Sequence, residues 1–465
     1  MSNVIWLLAF VVILGAAVVI HEFGHFIVAK LLGIRVETFS VGFGRRLWGR
    51  RWGTTDYRLS LIPLGGYVKL GGDESNAGIE EGSGETEIPA HERFDLRPRW
   101  HKFLVGVAGP VMNILTAIAI PLISAMTVGV GIEPAPVVGT VRQGSAAEAA
   151  GVKAGDRLVA FNGKENPEWD QVFNDAAILP EQQLPLVVER GGQRVSLTVK
   201  PAKTTVSNTE IGELGISPDY GEVPVIVNSV LENSPASEAG LRKGDRILAI
   251  NGEPVRSGEF VQDFIQKHKE EPITMTLRRD GAETQVTASA RQMPDGTKRL
   301  GFTPFTDLPV QRLGPGRALS YAVEKNVEFM RITGLALGQV FTGNRSVRDT
   351  ISGPIGIAQE SANVVSAYGW AGFFGMLAIL SLNLGVFNLL PIPVLDGGMI
   401  FMLFVDGALA LLGLKLSMTM RERIQQVGFV FLLLLMGFVI INDVTKIASR
   451  WSKAKDNPPA ATQQK

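Results

Sequence analysis

Four runs of the chain contain no Lys, Arg, Asp or Glu: residues 4–20, 103–132, 363–395 and 424–442. A helix that crosses a bilayer needs about 20 mostly apolar residues, so each run predicts a transmembrane span. The first reaches that length only by continuing through His21 and His25. Elsewhere the pattern changes. Residues 59–70, "LSLIPLGGYVKL", have β-type composition interrupted by Pro63 and Gly65-Gly66, which predicts an edge strand or a sharply bent hairpin. In residues 314–341, Leu319, Val323, Val327, Met330 and Leu337 share one helical face. Arg317, Glu324, Lys325, Glu328 and Arg331 take the other. Such a helix lies on a membrane surface or packs against a neighbouring domain.

The polar middle repeats itself. "SAAEAAGVKAGDRLVAFNG" from Ser145 aligns without gaps to "SPASEAGLRKGDRILAING" from Ser234, identical at 10 of 19 positions. "ELGISP" at 213–218 and "RLGFTP" at 299–304 form a second echo. In each unit a short helix ends at a glycine (Gly151 in the first), Gly155-Asp156 leads into a strand, and Asn162-Gly163 makes a hairpin turn. The signature A-G-L-x-x-G-D-x-I-L-x-I-N-G resembles the PDZ domain. That resemblance places Ile216 and Phe302 beside a peptide groove; the alternative for both is core packing.

Charge orients the spans. No Lys or Arg precedes Lys30, whereas the stretch between the first two spans holds Arg35, Arg45, Arg46, Arg50, Arg51, Arg58, Lys69 and more. Basic loops stay cytoplasmic, so the PDZ-like repeats are expected outside. Lys446, Arg450, Lys453 and Lys455 in the tail oppose this, but the bias around the first span is larger. The N-terminal run lacks a basic start, and its small residues Gly15-Ala16-Ala17 fall before the run ends, so it is read as a span rather than a cleaved leader. Lys+Arg and Asp+Glu are both 45, a balance that argues against a nucleic-acid binder. Zero cysteines exclude disulfides and thiolate metal sites.

His21-Glu22-Phe23-Gly24-His25 is H-E-x-x-H. On a helix, positions i and i+4 share a face, so both imidazoles can ligate one metal with Glu22 beside the bound water. Ionisable groups in a membrane span cost a few kcal/mol each and point to function. A catalytic zinc normally takes three protein ligands. Asp396, in "NLLPIPVLDGG", is the one carboxylate at the end of the third apolar run and the best third ligand. A capping role before Gly397-Gly398 is its alternative. Pro391 and Pro393 break the helix there, as is tolerated at membrane depth only in protein or beside a cavity.

With H-E-F-G-H in the first span and N-x-x-P-x-P-x-x-D-G in the third, the chain resembles the site-2 proteases, intramembrane zinc metalloproteases. "LIPLGGYVKL" resembles their membrane-reentrant β-hairpin, "AGPVMN" at 108–113 their second-span motif, and "SGPIGIA" at 352–358 the approach to span three. The resemblance implies one Zn2+ held by His21, His25 and Asp396, Glu22 as catalytic base, and Asn388 as an amide donor to the substrate main chain or oxyanion. Asn113 is a weaker site residue, more suited to helix packing. Leu64, Gly65, Gly66 and Tyr67 form a hairpin edge that can take an unwound substrate by strand addition.

The expected fold is a polytopic α-helical membrane protein of about four spans, with a membrane-associated β-hairpin and two extracytoplasmic α+β PDZ domains. The first span covers 1–34 and a cytoplasmic-side hairpin region 35–101. The second span follows at 102–132, with PDZ domains at 133–220 and 221–308. An amphipathic connector (309–361) leads to the third span at 362–405. A cytoplasmic loop (406–423), the fourth span (424–445) and a disordered tail (446–465) complete the chain. The implied function is regulated intramembrane proteolysis at the bacterial inner membrane as part of a stress response. Its expected substrates are single-span membrane proteins, such as an anti-sigma factor already trimmed by another protease, or remnant signal peptides. Expected partners are those substrates, the lipid bilayer and peptide ligands of periplasmic PDZ domains, with no nucleic acid. The alternative is a membrane-tethered PDZ adaptor with a structural metal site. That site needs a fourth ligand, which His91 or His101 could supply, though both sit in the polar stretch before the second span. A metal transporter would want acidic residues along several spans, and the second and fourth runs have none.

Overall fold

The computed structural model describes residues 3–72, 88–206, 209–221, 223–268, 270–292, 298–350, 352–414 and 417–456. They fall into two compact units. One holds residues 1–127, 313–328 and 351–447; the other holds 128–312, 329–350 and 448–465.

The first unit is built from the apolar runs. Its helices are α1 (Asn3–Leu31), α2 (Arg99–Thr127), the start of α3 (Pro315–Phe341), α4 (Pro354–Asn388), α5 (Asp396–Leu411) and α6 (Met418–Asp456). Among the described residues four segments are long and apolar enough to cross a membrane: Ala9–Leu31, Arg99–Thr127, Tyr368–Asn388 and Thr419–Lys446. A helix satisfies its own backbone hydrogen bonds, as hydrocarbon demands. α1 stops at Gly33, whose φ of 66° turns the chain while its N–H caps the Lys30 carbonyl.

Pro121 in α2 has no N–H to give the carbonyl of Ala117 one turn back. The Asn326 side chain on α3 donates to that carbonyl at 3.0 Å. Asp443 does similar work at the start of α4. Its buried carboxylate accepts from the N–H groups of Gly353, Ile355 and Gly356 at 2.9 to 3.0 Å, joining α6 to "SGPIGIA".

Between α1 and α2 lie two long antiparallel strands, β1 (Val36–Trp52) and β2 (Thr55–Leu70). Of the two forms expected for residues 59–70, an edge strand or a sharply bent hairpin, the structure shows the strand. They are part of one bent strand, and the first half of β1 pairs with both halves of β2. Ser40 faces Tyr67 on one side and Arg58 on the other, and Val41 faces Gly66 and Leu59. The result is a narrow sheet whose edges are the end of β2 and the second half of β1.

Other boundaries change as well. The segment 362–405 is not one helix: α4 kinks at Gly369, and residues 389–395 leave the helix before α5 begins at Asp396. Pro391 and Pro393 lack the N–H groups that would carry α4 onward. The loop expected at 406–423 is helical to Leu411 and again from Met418, and the tail from 446 continues α6 to Asp456. Residues 457–465 lie outside the described residues.

In the second unit the repeat is visible as two domains with matching parts. Strands Arg157–Phe161, Leu184–Arg190 and Gln193–Val199 in the first correspond to Arg246–Ile250, Pro272–Arg279 and Ala282–Ser289 in the second. Helices Trp169–Ile178 and Gly258–Lys267 match likewise. Both Asn-Gly turns have positive φ at each residue, as the hairpin type requires. Each domain also holds a buried aspartate in a two-pronged arginine bridge, Asp156 with Arg190 and Asp245 with Arg279.

In α3, Leu319, Val323 and Val327 are exposed, and the packed positions are Ala318 and Ala322, small enough for close helix contact. Further along, Ile332, Leu335 and Ala336 lie on the core of the first repeat domain, with Arg331 bridging to Asp175.

Candidate metal centre and active site

His21 and His25 face α2 from one side of α1, and Asp396 comes from the first residue of α5. His21 Nε2 lies 3.2 Å from His25 Nε2 and 2.9 Å from Asp396 Oδ2, and His25 Nε2 lies 3.5 Å from Asp396 Oδ1. Two bonds of about 2.0 to 2.1 Å at a tetrahedral zinc set ligand atoms about 3.3 Å apart. The three observed spacings bracket that value, so the donor set fits the metal. Asp396 Oδ2 is buried and has no hydrogen-bond donor.

Each histidine is aimed through its other nitrogen. His25 Nδ1 donates to the Val105 carbonyl at 2.7 Å, which leaves Nε2 as the lone-pair side. Asn113 lies 3.4 Å from His21 Nδ1 through its amide nitrogen, while its amide oxygen is buried without a partner. Rotating that amide lets the oxygen accept from Nδ1–H and turns His21 Nε2 to the same task. Asn388 places its amide nitrogen 3.2 Å from His21 Nε2, at the last residue of α4.

Glycines make the room. A methyl group at Gly109 would stand 2.3 Å from His25 Nε2 and 2.8 Å from His21 Nε2. At Gly24, inside the H-E-x-x-H motif, it would stand 2.3 Å from the Ala108 carbonyl oxygen. The "AG" of "AGPVMN" and the second x of the motif are therefore where α1 and α2 touch. Gly397 and Gly398 let residues 389–395 fold against the start of α5, where added methyl groups would meet three carbonyls at 2.2 to 2.3 Å. Within that segment Val394 has a φ of 84°, a strained value for a β-branched residue, two positions before Asp396.

Glu22 turns toward the hairpin. Its carboxylate accepts from the Val68 backbone N–H on β2, and Gly66 lies beside its side chain. Gly65 packs against Phe43 and Val18, and the buried Tyr67 ring stacks on Phe43 at 6.2 Å. The Leu64 side chain is outside the described residues.

The structure thus brings His21, Glu22, His25, Asn388, Asp396 and the edge of β2 together. Ile216 and Phe302 lie in the repeat domains, each half-buried beside the core of its own domain. His91 and His101 do not join the metal-ligating group. Sequence reasoning missed Val68, Val105 and Gly109; only the proximity of Gly109 to Asn113 in one motif hinted at a shared surface.

The family model for Peptidase family M50 matches residues 9–435. The regulator of sigma-E protease RseP of Escherichia coli (strain K12) is 32% identical over 96% of this chain and 100% of its own length. The regulator of sigma E protease of Salmonella typhimurium (strain LT2) gives the same identity and coverage. The protease RseP of Yersinia pestis is 31% identical over 96% of this chain and 100% of its own.

Proposed function

The chain belongs to peptidase family M50, the site-2 type metalloproteases, and on that premise we propose that it hydrolyses single-span membrane proteins within the bilayer. The observation that carries this is the meeting of His21, His25 and Asp396 at metal-ligand spacing with Glu22 alongside. In this reading the three residues hold one zinc ion, which lowers the pKa of a water and polarises the scissile carbonyl. Glu22 takes the proton of the attacking water and delivers it to the leaving amine. The Val68 N–H steadies the carboxylate between these two transfers. Asn388 donates its amide to the substrate main chain or to the oxyanion.

A substrate helix hides its amides in its own hydrogen bonds and must unwind before it is cut. The edge of β2 from Leu64 to Tyr67, ending beside Glu22, offers replacement hydrogen bonds by strand addition. Both repeat domains are read as PDZ domains on the periplasmic side of the bacterial inner membrane, acting as a docking site or a size filter. An anti-sigma factor trimmed by another protease suits both the relatives' names and this filter.

The adaptor alternative needs a closed site of four ligands. Among the described residues the group contains three, which favours an open catalytic site. The test is incubation of the purified chain with a single-span substrate, with chelator, and with zinc restored. Cleavage should stop and return; cleavage that survives complete metal removal overturns the proposal.

A further inference from the structure

The second half of β1 is a sheet edge, and its depth along α1 follows from contacts at the bend of β2 and at the turn that precedes it. The Pro63 carbonyl packs at Gly15, and Gly66 lies at Glu22. At the β1–β2 turn Lys30 donates to Thr54 Oγ1. At 1.5 Å per residue, Gly15 and Lys30 are about 22 Å apart along the helix. The turn therefore lies at the cytoplasmic end of the span, and the bend of β2 lies deep.

Pairing carries this ladder to the outer strand. Arg46 faces Ser60 at the deep end, and Trp52 faces Thr55 beside the turn. From Trp48 onward the register is regular, so Trp48, Arg50 and Trp52 share one face and Arg51 takes the other. Trp48 is 72% exposed and Trp52 79%, values that leave both indole rings without a protein partner. Arg50 and Arg51 are exposed, and among the described residues no carboxylate pairs with either. The deeper Arg46 differs: it reaches back across Gly49 to Asp56, which Arg58 also holds. Arg45, beside Arg46, is exposed and like Arg50 and Arg51 has no carboxylate partner among the described residues.

Indole rings favour the headgroup level of a bilayer, and clustered Arg at the cytoplasmic face attracts anionic lipid. An open strand edge in hydrocarbon would leave backbone groups unsatisfied, whereas headgroup oxygens and water satisfy them. We propose that the strand end Trp48–Trp52 is a binding strip for anionic phospholipid headgroups of the cytoplasmic leaflet. Arg50 and Arg51 take the phosphodiester oxygens, and Trp48 and Trp52 lie at the level of the ester groups. This rests on the membrane reading of α1 and not on the protease chemistry.

The test uses the full chain in nanodiscs containing a bromine-labelled phosphatidylglycerol or, at equal mole fraction, a bromine-labelled phosphatidylcholine. Subtracting the emission of a Trp48→Phe/Trp52→Phe variant isolates the two rings from the other five tryptophans. Their quenching should be about twofold or more stronger with the anionic lipid. Arg50→Gln/Arg51→Gln should remove that preference while quenching by phosphatidylcholine persists. Equal quenching in the wild type overturns the proposal, as does absence of quenching, the result of a protein partner covering the strand. Flotation of the chain with the lipid is scored separately, and failure to incorporate overturns the spanning reading itself.

Discussion

His21 Nε2 and Asp396 Oδ2 lie 2.9 Å apart although their residues open and close the long stretch between α1 and α5. The two atoms do not form a hydrogen bond of good geometry, since Asp396 Oδ2 has no donor. In the proposed function these two atoms and His25 Nε2 would hold the cation. Asp396→Asn keeps the shape and removes the anion, so zinc affinity should fall by at least about 100-fold. Competition with a chromophoric chelator measures it; unchanged affinity would exclude Asp396 as a ligand.

Gly109→Ala tests the room left for the metal. Alanine is the better helix former, so α2 should be no less helical. Its methyl group nonetheless falls 2.3 Å from His25 Nε2. The variant should fold with normal helicity yet bind cobalt weakly or with an altered visible spectrum. A wild-type cobalt spectrum would show that α1 and α2 move apart at little cost.

Glu22→Gln separates binding from chemistry. The amide still fits beside Gly66, and the three residues proposed to hold the metal are untouched. Zinc content should stay stoichiometric while cleavage drops by about 100- to 10,000-fold, the usual worth of a general base. Turnover near wild type would remove Glu22 from the mechanism.

Much of this was legible in the sequence because charge in an apolar run is conspicuous. His21, Glu22, His25 and Asp396 stood out against their surroundings, and the Asn-Gly and Gly-Asp pairs marked both repeat units. What was hidden depends on contacts between distant segments. Gly24 and Gly109 carry no chemistry of their own, and their role exists only where α1 meets α2. Val68 and Val105 act through backbone atoms, which the identity of a side chain does not announce. In α3 the close contact is made by Ala318 and Ala322, which the apolar stripe of Leu319, Val323 and Val327 does not include. Asp443 escaped notice by lying one residue beyond the fourth apolar run.

The repeat domains should be acid-labile together. Burial pushes the Asp156 carboxyl up, but the Arg190 guanidinium and the Lys153 backbone N–H outweigh it and hold the group below the usual carboxylate range. Asp245 is held down likewise by Arg279 and the Arg242 N–H, against its own burial. A depressed folded value stabilises above the unfolded pKa of about 3.9 and is lost as pH falls through the folded value. Hydrogen exchange on the full chain should rise in both domains below about pH 4. Asp156→Asn should remove that dependence from the first domain alone; two unchanged profiles would show that the bridges do not control acid stability.

Asn326 and Pro121 should be coupled through the Ala117 carbonyl. Pro121 leaves the Ala117 carbonyl without its helical donor, and Asn326 supplies one from α3. Asn326→Ala strands a buried acceptor and should cost about 1 to 3 kcal/mol. Pro121→Ala restores an N–H to α2, so in that background the same substitution should cost much less, with a coupling of about 1 kcal/mol or more. Reversible unfolding of the four chains in detergent closes the cycle. Additive effects would mean that the Ala117 carbonyl finds another donor and that the α2–α3 contact rests on Ala318 and Ala322 alone.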